Sequence, residues 1–209
     1  RVLYACESGS RAWGFASKDS DYDVRFIYAH PQDWYMSIKE KRDVIERPIT
    51  DEIDLNGWDL RKALRLLRKS NPPLLEWLQS PIVYHEHRWC AEQLREKAPI
   101  FYSPPSCMYH YLHMATGNYR EYLRKEIVWL KKYFYVLRPI LACKWIESGR
   151  GPVPMEFEVL LQEMIPLGSR RNEITRLLER KRNGEELDEG PKVEVINAFL
   201  EEEIDHFNS

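Results

Sequence analysis

Residues 2–28, VLYACESGSRAWGFASKDSDYDVRFIY, constrain the fold more than any other stretch of this 209-residue chain. Val2 to Cys6 is apolar and β-prone. Gly9-Ser10 breaks that run, and Gly14 can close the short helical turn that follows. Ser17 to Ser20 is a polar loop. Asp21 to Tyr28, rich in Val, Phe, Ile and Tyr, reads as a second strand. The predicted order is strand, Gly-Ser turn, short helix, loop, strand.

Alternation along the second strand puts Asp21, Asp23 and Arg25 on one face and Tyr22, Val24 and Phe26 on the other, toward a core. Carboxylates side by side repel, and burial makes their ionisation harder. A cation has to compensate. A divalent metal such as Mg²⁺ suits oxygen ligands; Arg25, on the same face, offers a plain ion pair instead. The turn adds a second element. Gly9 lets a phosphate approach the backbone, and Ser10 brings a hydroxyl and an N–H to the start of a helix, where anions are favoured. A phosphate cradle ahead of a metal-binding strand is equipment for phosphoryl or nucleotidyl transfer.

Gly9-Ser10, ten intervening residues, then Asp21-Tyr22-Asp23-Val24 resembles the signature of the DNA polymerase β nucleotidyltransferase superfamily. The one departure is Ser8, where the signature has an apolar residue. Nearly the whole chain, through ESGSRAWGFASKDSDYDVRFIY, DLNGWDLRKALRLLRKSNPPLLEWLQSPIVY and KKYFYVLRPILA, resembles the YcgL-like predicted nucleotidyltransferases, relatives of polymerase-β-type proteins found with RNA ligases. The resemblance implies an α/β (α+β) fold, with a small mixed-sheet nucleotidyltransferase core followed by a helical domain. It implies Mg²⁺ or Mn²⁺ as cofactor and an NTP as substrate. Asp21, Asp23 and Asp54 are then the expected catalytic and metal-binding carboxylates. Gly9, Ser10, Arg11 and Arg25 are the expected nucleotide-binding residues, joined by Lys131, Lys132 and Arg138 from the helical part. RNA is one acceptor the resemblance suggests, within RNA repair. It also leaves room for a catalytically silent module that partners a toxin or binds an RNA end.

Asp54 enters through Thr50 to Leu55, TDEIDL, which reads as a strand with Glu52 and Asp54 on one face. Alternation cannot separate the two acids, but Asp54 has the hydrophobic–Asp–hydrophobic setting of the superfamily. Asn56-Gly57 is a turn signal. Asp59 can cap a helix running to about Ser70 with Leu60, Ala63, Leu64 and Leu67 as its buried stripe. Arg61, Lys62, Arg65, Arg68 and Lys69 crowd the other faces with no acid among them. That run is either a solvated helix surface or a wall for nucleic-acid or triphosphate phosphates. Asn71-Pro72-Pro73 stops the helix, and Leu74 to Leu78 is a short one.

The expected domains are 1–80 and 81–209, divided somewhere in 80–105, where composition shifts toward helix. Helices are expected over Met108 to Lys125, Trp129 to Glu147 with an interruption near Pro139, Glu156 to Ile165, Asn172 to Arg182 and Lys192 to Phe207. A formal charge of −2 argues against a uniformly basic nucleic-acid binder. Cys6, Cys90, Cys107 and Cys143 lack a disulfide spacing and read as reduced thiols of a cytoplasmic protein. No apolar run spans a bilayer and no signal peptide is expected. His85, His87 and Cys90, and again Cys107, His110 and His113, gather metal-ligating types. Neither group supplies the four ligands of a structural zinc site.

Overall fold

The computed structural model describes residues 1–17, 20–47, 52–185 and 187–209. The chain divides into two compact units. The first comprises Arg1–Trp13 and Ser20–Ser103; the second comprises Pro104–Ser209 together with described residues 14–17.

The first unit is built on a five-stranded mixed sheet. Its strands are β1 (Val2–Glu7), β2 (Tyr22–Tyr28), β3 (Val44–Glu46), β4 (Ile53–Asp59) and β5 (Val83–Glu86), in the order β3-β4-β2-β1-β5. β1 runs antiparallel to both β2 and β5, β3 is antiparallel to β4, and β2 and β4 are parallel. The helices are α1 (Gly9–Ala12), α2 (Gln32–Tyr35), α3 (Leu60–Arg68), α4 (Pro72–Leu78) and α5 (Arg88–Phe101). Tyr4, Cys6, Ile27, Ala63, Leu67 and Leu74 are buried at its centre, and Trp58 stacks on Trp77 at 3.7 Å between ring centroids.

Several sequence expectations hold. Asp59 caps α3, accepting the Arg61 N–H at 2.9 Å. Ser70, at φ 54°, ends the turn after α3, and Asn71 then caps α4 with prolines in its first turn. Others need correction. Asn56-Gly57 is not a turn but lies inside β4, where a Cβ on Gly57 would sit 2.2 Å from the Phe26 ring. Glycine is there for close packing across the sheet, not for a bend. Leu64 is 47% exposed, so the buried stripe of α3 is narrower than its apolar pattern suggests. Tyr22, expected toward the core, is 40% exposed with the Arg11 guanidinium 3.8 Å above its ring. β5 adds a strand in a region that reads as helical. Thr50, the expected start of the fourth strand, lies outside the described residues.

The second unit holds α6 (Pro104–Tyr122), a short 3₁₀ turn (Leu130–Lys132), α7 (Tyr133–Glu147), α8 (Phe157–Met164), α9 (Ser169–Arg182) and α10 (Glu194–Asn208). β6 (Ile127–Trp129) and β7 (Glu189–Pro191) form a small antiparallel pair. α7 is apolar around most of its circumference, as a central helix must be, and it continues through Pro139. Phe15 packs against Phe134 and Phe157, with centroids at 4.9 and 5.5 Å. No helix among the described residues is long and apolar enough to cross a membrane. All four cysteines are free and buried.

Candidate active site

The parallel pair of β2 and β4 sets the geometry. Its register places Asp23 opposite Asp54 and Arg25 opposite Asn56. Side chains at paired positions of neighbouring strands leave the sheet on the same face, so the two carboxylates stand together. Arg25, two residues on, returns to that face. Its Nη2 donates to Asp23 Oδ1 at 2.9 Å and to Asp54 Oδ2 at 2.7 Å, and its Nη1 donates to the Asp54 carbonyl at 2.9 Å. Burial pushes the Asp23 carboxyl above its usual value. Arg25 pulls it back, while Asp54, Glu7 and Asp21 add to the rise.

The turn between β1 and α1 closes on this cluster. The Ser8 N–H donates to the Asp23 carbonyl at 2.9 Å. Gly9 follows at φ 57°, and a Cβ there would fall 1.9 Å from Asp23 Oδ2. Glycine is therefore required twice, for the left-handed backbone and for the approach of the carboxylate. Ser10 and Arg11 belong to the four-residue α1. The Arg11 guanidinium donates to the carbonyls of Ser20 at 2.7 Å and Asp21 at 3.2 Å, so it ties the loop before β2 to the turn.

Glu7 and Tyr84 belong to this neighbourhood and were not singled out from the sequence. Glu7, the last residue of β1, is fully buried. Its Oε1 accepts the Asp23 N–H at 2.8 Å and its Oε2 accepts the Tyr84 hydroxyl. Burial and that bond to a carboxylate push the Tyr84 phenol well above its ordinary range. Glu7 thus fixes the backbone of Asp23 from behind. The readable signal is an acid that continues an apolar strand directly before a Ser-Gly turn.

The remaining expected residues fall elsewhere. Asp21 is exposed and just precedes β2, two positions from Asp23. Glu52 is exposed ahead of β4, and its carbonyl accepts the Tyr22 N–H at 2.7 Å. Lys131 and Lys132 lie in the second unit, Lys131 Nζ 5.1 Å over Trp129 and Lys132 Nζ 4.3 Å over Tyr122. Arg138 is 1% exposed within α7, and its Nη2 donates to the Met155 carbonyl at 3.3 Å. So buried a guanidinium lies in the helical core of its own unit.

The donor set around Asp23 suits a hard divalent cation in kind: carboxylate oxygens from register-paired residues, with Asp21 nearby. Among the described residues, no three His, Cys, Asp or Glu side chains stand close enough together to hold a metal ion, and Arg25 supplies the compensating charge. Asp23 and Asp54 are the residues that would hold such a cation.

A model of the RNA repair pathway DNA polymerase beta family matches residues 1–209. The chain belongs to that family. Its similarity to another protein runs along the same length: YcgL of Bacillus subtilis (strain 168), described as uncharacterized, is 55% identical over 205 residues, covering 98% of this chain and 79% of YcgL. A solved nucleotidyltransferase-like protein from Exiguobacterium sibiricum 255-15 aligns with 99% of this chain and 69% of its own, at 12% identity and a TM-score of 0.40. Membership of the RNA repair pathway DNA polymerase beta family supports a polymerase-β-type nucleotidyltransferase. The mixed α/β architecture, with its five-stranded sheet in the first unit, is the one the opening motif implied.

Proposed function

We propose that this protein transfers a nucleotidyl group from an NTP to an acceptor hydroxyl or phosphate, with an RNA end as the acceptor, in a reaction that depends on Mg²⁺ or Mn²⁺. One observation carries the reading: Asp23 and Asp54 face each other in register directly beside the Gly9-Ser10 turn. Family membership supports the reaction class.

In this reading the turn receives the triphosphate. Gly9 lets the turn close directly on the Asp23 carboxylate, and Ser10 offers a hydroxyl beside backbone N–H groups. Asp23 and Asp54 would hold the divalent cation, which would supply Lewis-acid activation of the acceptor and neutralise charge on the departing pyrophosphate. With the carboxylates so occupied, Arg25, which now bonds to both, would be available to phosphate oxygens. The acceptor oxygen bonds to the α-phosphorus, the bond to the bridging oxygen breaks, and pyrophosphate leaves with its electron pair. Where the acceptor is a hydroxyl, Asp54 takes its proton. Glu7 holds the Asp23 backbone while this happens.

The test is incubation with each α-labelled NTP, Mg²⁺ or Mn²⁺, and cellular RNA or cellular protein. The proposal expects label in RNA and none with Asp54→Asn. Label in protein only would replace the acceptor, and label in neither fraction would remove the reaction.

A further inference from the structure

We propose that the exposed face of α3 is a docking track for an RNA strand, distinct from the carboxylate cluster. The inference rests on the RNA-acceptor reading above and names the surface that would recognise it.

Arg61, Arg65 and Arg68 occupy positions i, i+4 and i+7, which a helix gathers into one stripe. All three are exposed. Leu64, 47% exposed, lies within the same stripe. From Leu60 to Ser70 there is no acid. Lys62 pairs with Asp43 at 3.3 Å, but among the described residues no ion pair engages Arg61, Arg65 or Arg68. The nearest acid in sequence, Asp59, is fully buried. Its carboxylate is occupied by the Arg61 N–H at 2.9 Å and the Tyr35 hydroxyl at 2.7 Å.

The stripe covers about 10 Å of helix axis, at about 1.5 Å per residue. Three guanidiniums along that length can each engage a phosphate of one strand, so the stripe carries the charge for about three phosphate contacts.

One end of the stripe is braced by aromatic rings. The Arg61 guanidinium lies 5.1 Å from the Trp34 centroid and 5.9 Å from that of Tyr35. Trp34 in turn stacks on His30 at 4.1 Å and 14°. A cation–π contact orients a guanidinium without consuming its N–H donors. Arg61 is therefore held in place with its planar fork available to a phosphate or a base edge. Oriented arginines and aromatic planes are the equipment of single-strand RNA recognition. A planar fork suits carboxylate and phosphate alike; the rings of Trp34 and Tyr35 beside it, planes on which a base can stack, make RNA the fitting partner.

The track cannot touch the reacting atoms at its Arg61 end. Asp59 closes β4 five residues beyond Asp54, about 16 Å along the strand. Loss of the stripe should weaken capture of RNA and leave nucleotide binding alone.

The experiment measures binding of a fluorescent single-stranded oligoribonucleotide by anisotropy across a potassium chloride series. It compares the parent with the combined Arg61→Gln, Arg65→Gln and Arg68→Gln variant. Calorimetry with ATP and Mg²⁺ runs alongside. The expected result is a log-affinity against log-salt slope shallower by about 2 in the variant, at ~0.7 per lost phosphate contact, with ATP binding unchanged. Arg61→Lys, which keeps the charge but loses the fork, should keep the slope and bind more weakly. A parent that binds RNA with a slope the triple variant shares would overturn the track and leave the RNA reading standing. A parent that binds no RNA would remove that reading, and the track with it. Equal affinity for polyglutamate, lost in the same variant, would replace RNA with an acidic protein partner.

Discussion

Asp23 and Asp54 stand opposite one another on the parallel strands β2 and β4, and a single nitrogen of Arg25 reaches both, at 2.9 and 2.7 Å. Two carboxylates so placed repel unless a cation lies between them. The guanidinium and a divalent metal are alternative solutions to the same electrostatic problem. That competition gives the first prediction. Arg25→Gln should lower stability by about 1–2 kcal/mol, between the values for surface and buried pairs, because these side chains are partly solvated. Added Mg²⁺ or Mn²⁺ should raise the melting temperature of the variant more than that of the parent. Equal shifts in both proteins would mean that the cation binds elsewhere.

Asp54, rather than Glu52, should be the third acid the chemistry needs. Asp54 shares Arg25 with Asp23, whereas Glu52 is exposed before the strand begins. Asp54→Asn should abolish transfer while changing ATP affinity by less than about tenfold, ~1.4 kcal/mol. Glu52→Gln should retain most activity. Single-turnover assays read both, and the opposite ranking would move the active-site acid to Glu52.

Gly9 cannot take a side chain without disturbing Asp23. Gly9→Ala forces a Cβ into a left-handed residue and toward Asp23 Oδ2. The protein should lose more than about 1 kcal/mol of stability and its metal-dependent nucleotide affinity together. Gly14→Ala shares the positive φ, but among the described residues no atom beyond its chain neighbours lies within 4 Å of its Cβ. It should cost stability alone. Denaturant melts paired with nucleotide titrations separate the two.

The raised Asp23 carboxyl makes a signed claim about pH. A carboxyl that holds its proton more tightly when folded favours the folded state at low pH. That contribution is complete below the unfolded value and is lost as pH rises through the folded one. The parent should therefore lose stability relative to Asp23→Asn as pH climbs out of the acid range, and the gap should then stay constant. Urea melts from pH 3 to pH 8 in roughly unit steps would follow it. A gap that moves the opposite way would show Arg25 outweighing burial.

Much of the site is local in sequence, which is why it could be read there. Gly9-Ser10 and Asp21 to Tyr28 need only strand alternation and turn chemistry, and Asp59 announces its helix by capping it. What escaped depends on neighbours distant along the chain. Gly57 reads as a turn until the Phe26 ring on the adjacent strand fills the space its side chain would occupy. Glu7 follows the apolar run Val2 to Cys6 and shows no role until Asp23 and Tyr84 close over its carboxylate. Arg138 is read as a nucleotide ligand by resemblance, and its place in a helix buried on nearly all sides shows only once the helices around α7 are in position. The contacts of Arg11 with the carbonyls of Ser20 and Asp21, which tie the loop before β2 to the turn, likewise appear only in three dimensions.

Calorimetry of ATP binding bears most directly on the central claim. It would be done with Mg²⁺, with EDTA, and with Asp23→Asn, which keeps the shape of the side chain and removes one charge. The parent should bind ATP with Mg²⁺ and lose most of that affinity in EDTA, and the variant should resemble the parent in EDTA under both conditions. Unchanged Mg²⁺-assisted binding in Asp23→Asn would show that the carboxylates facing each other on β2 and β4 do not hold the metal.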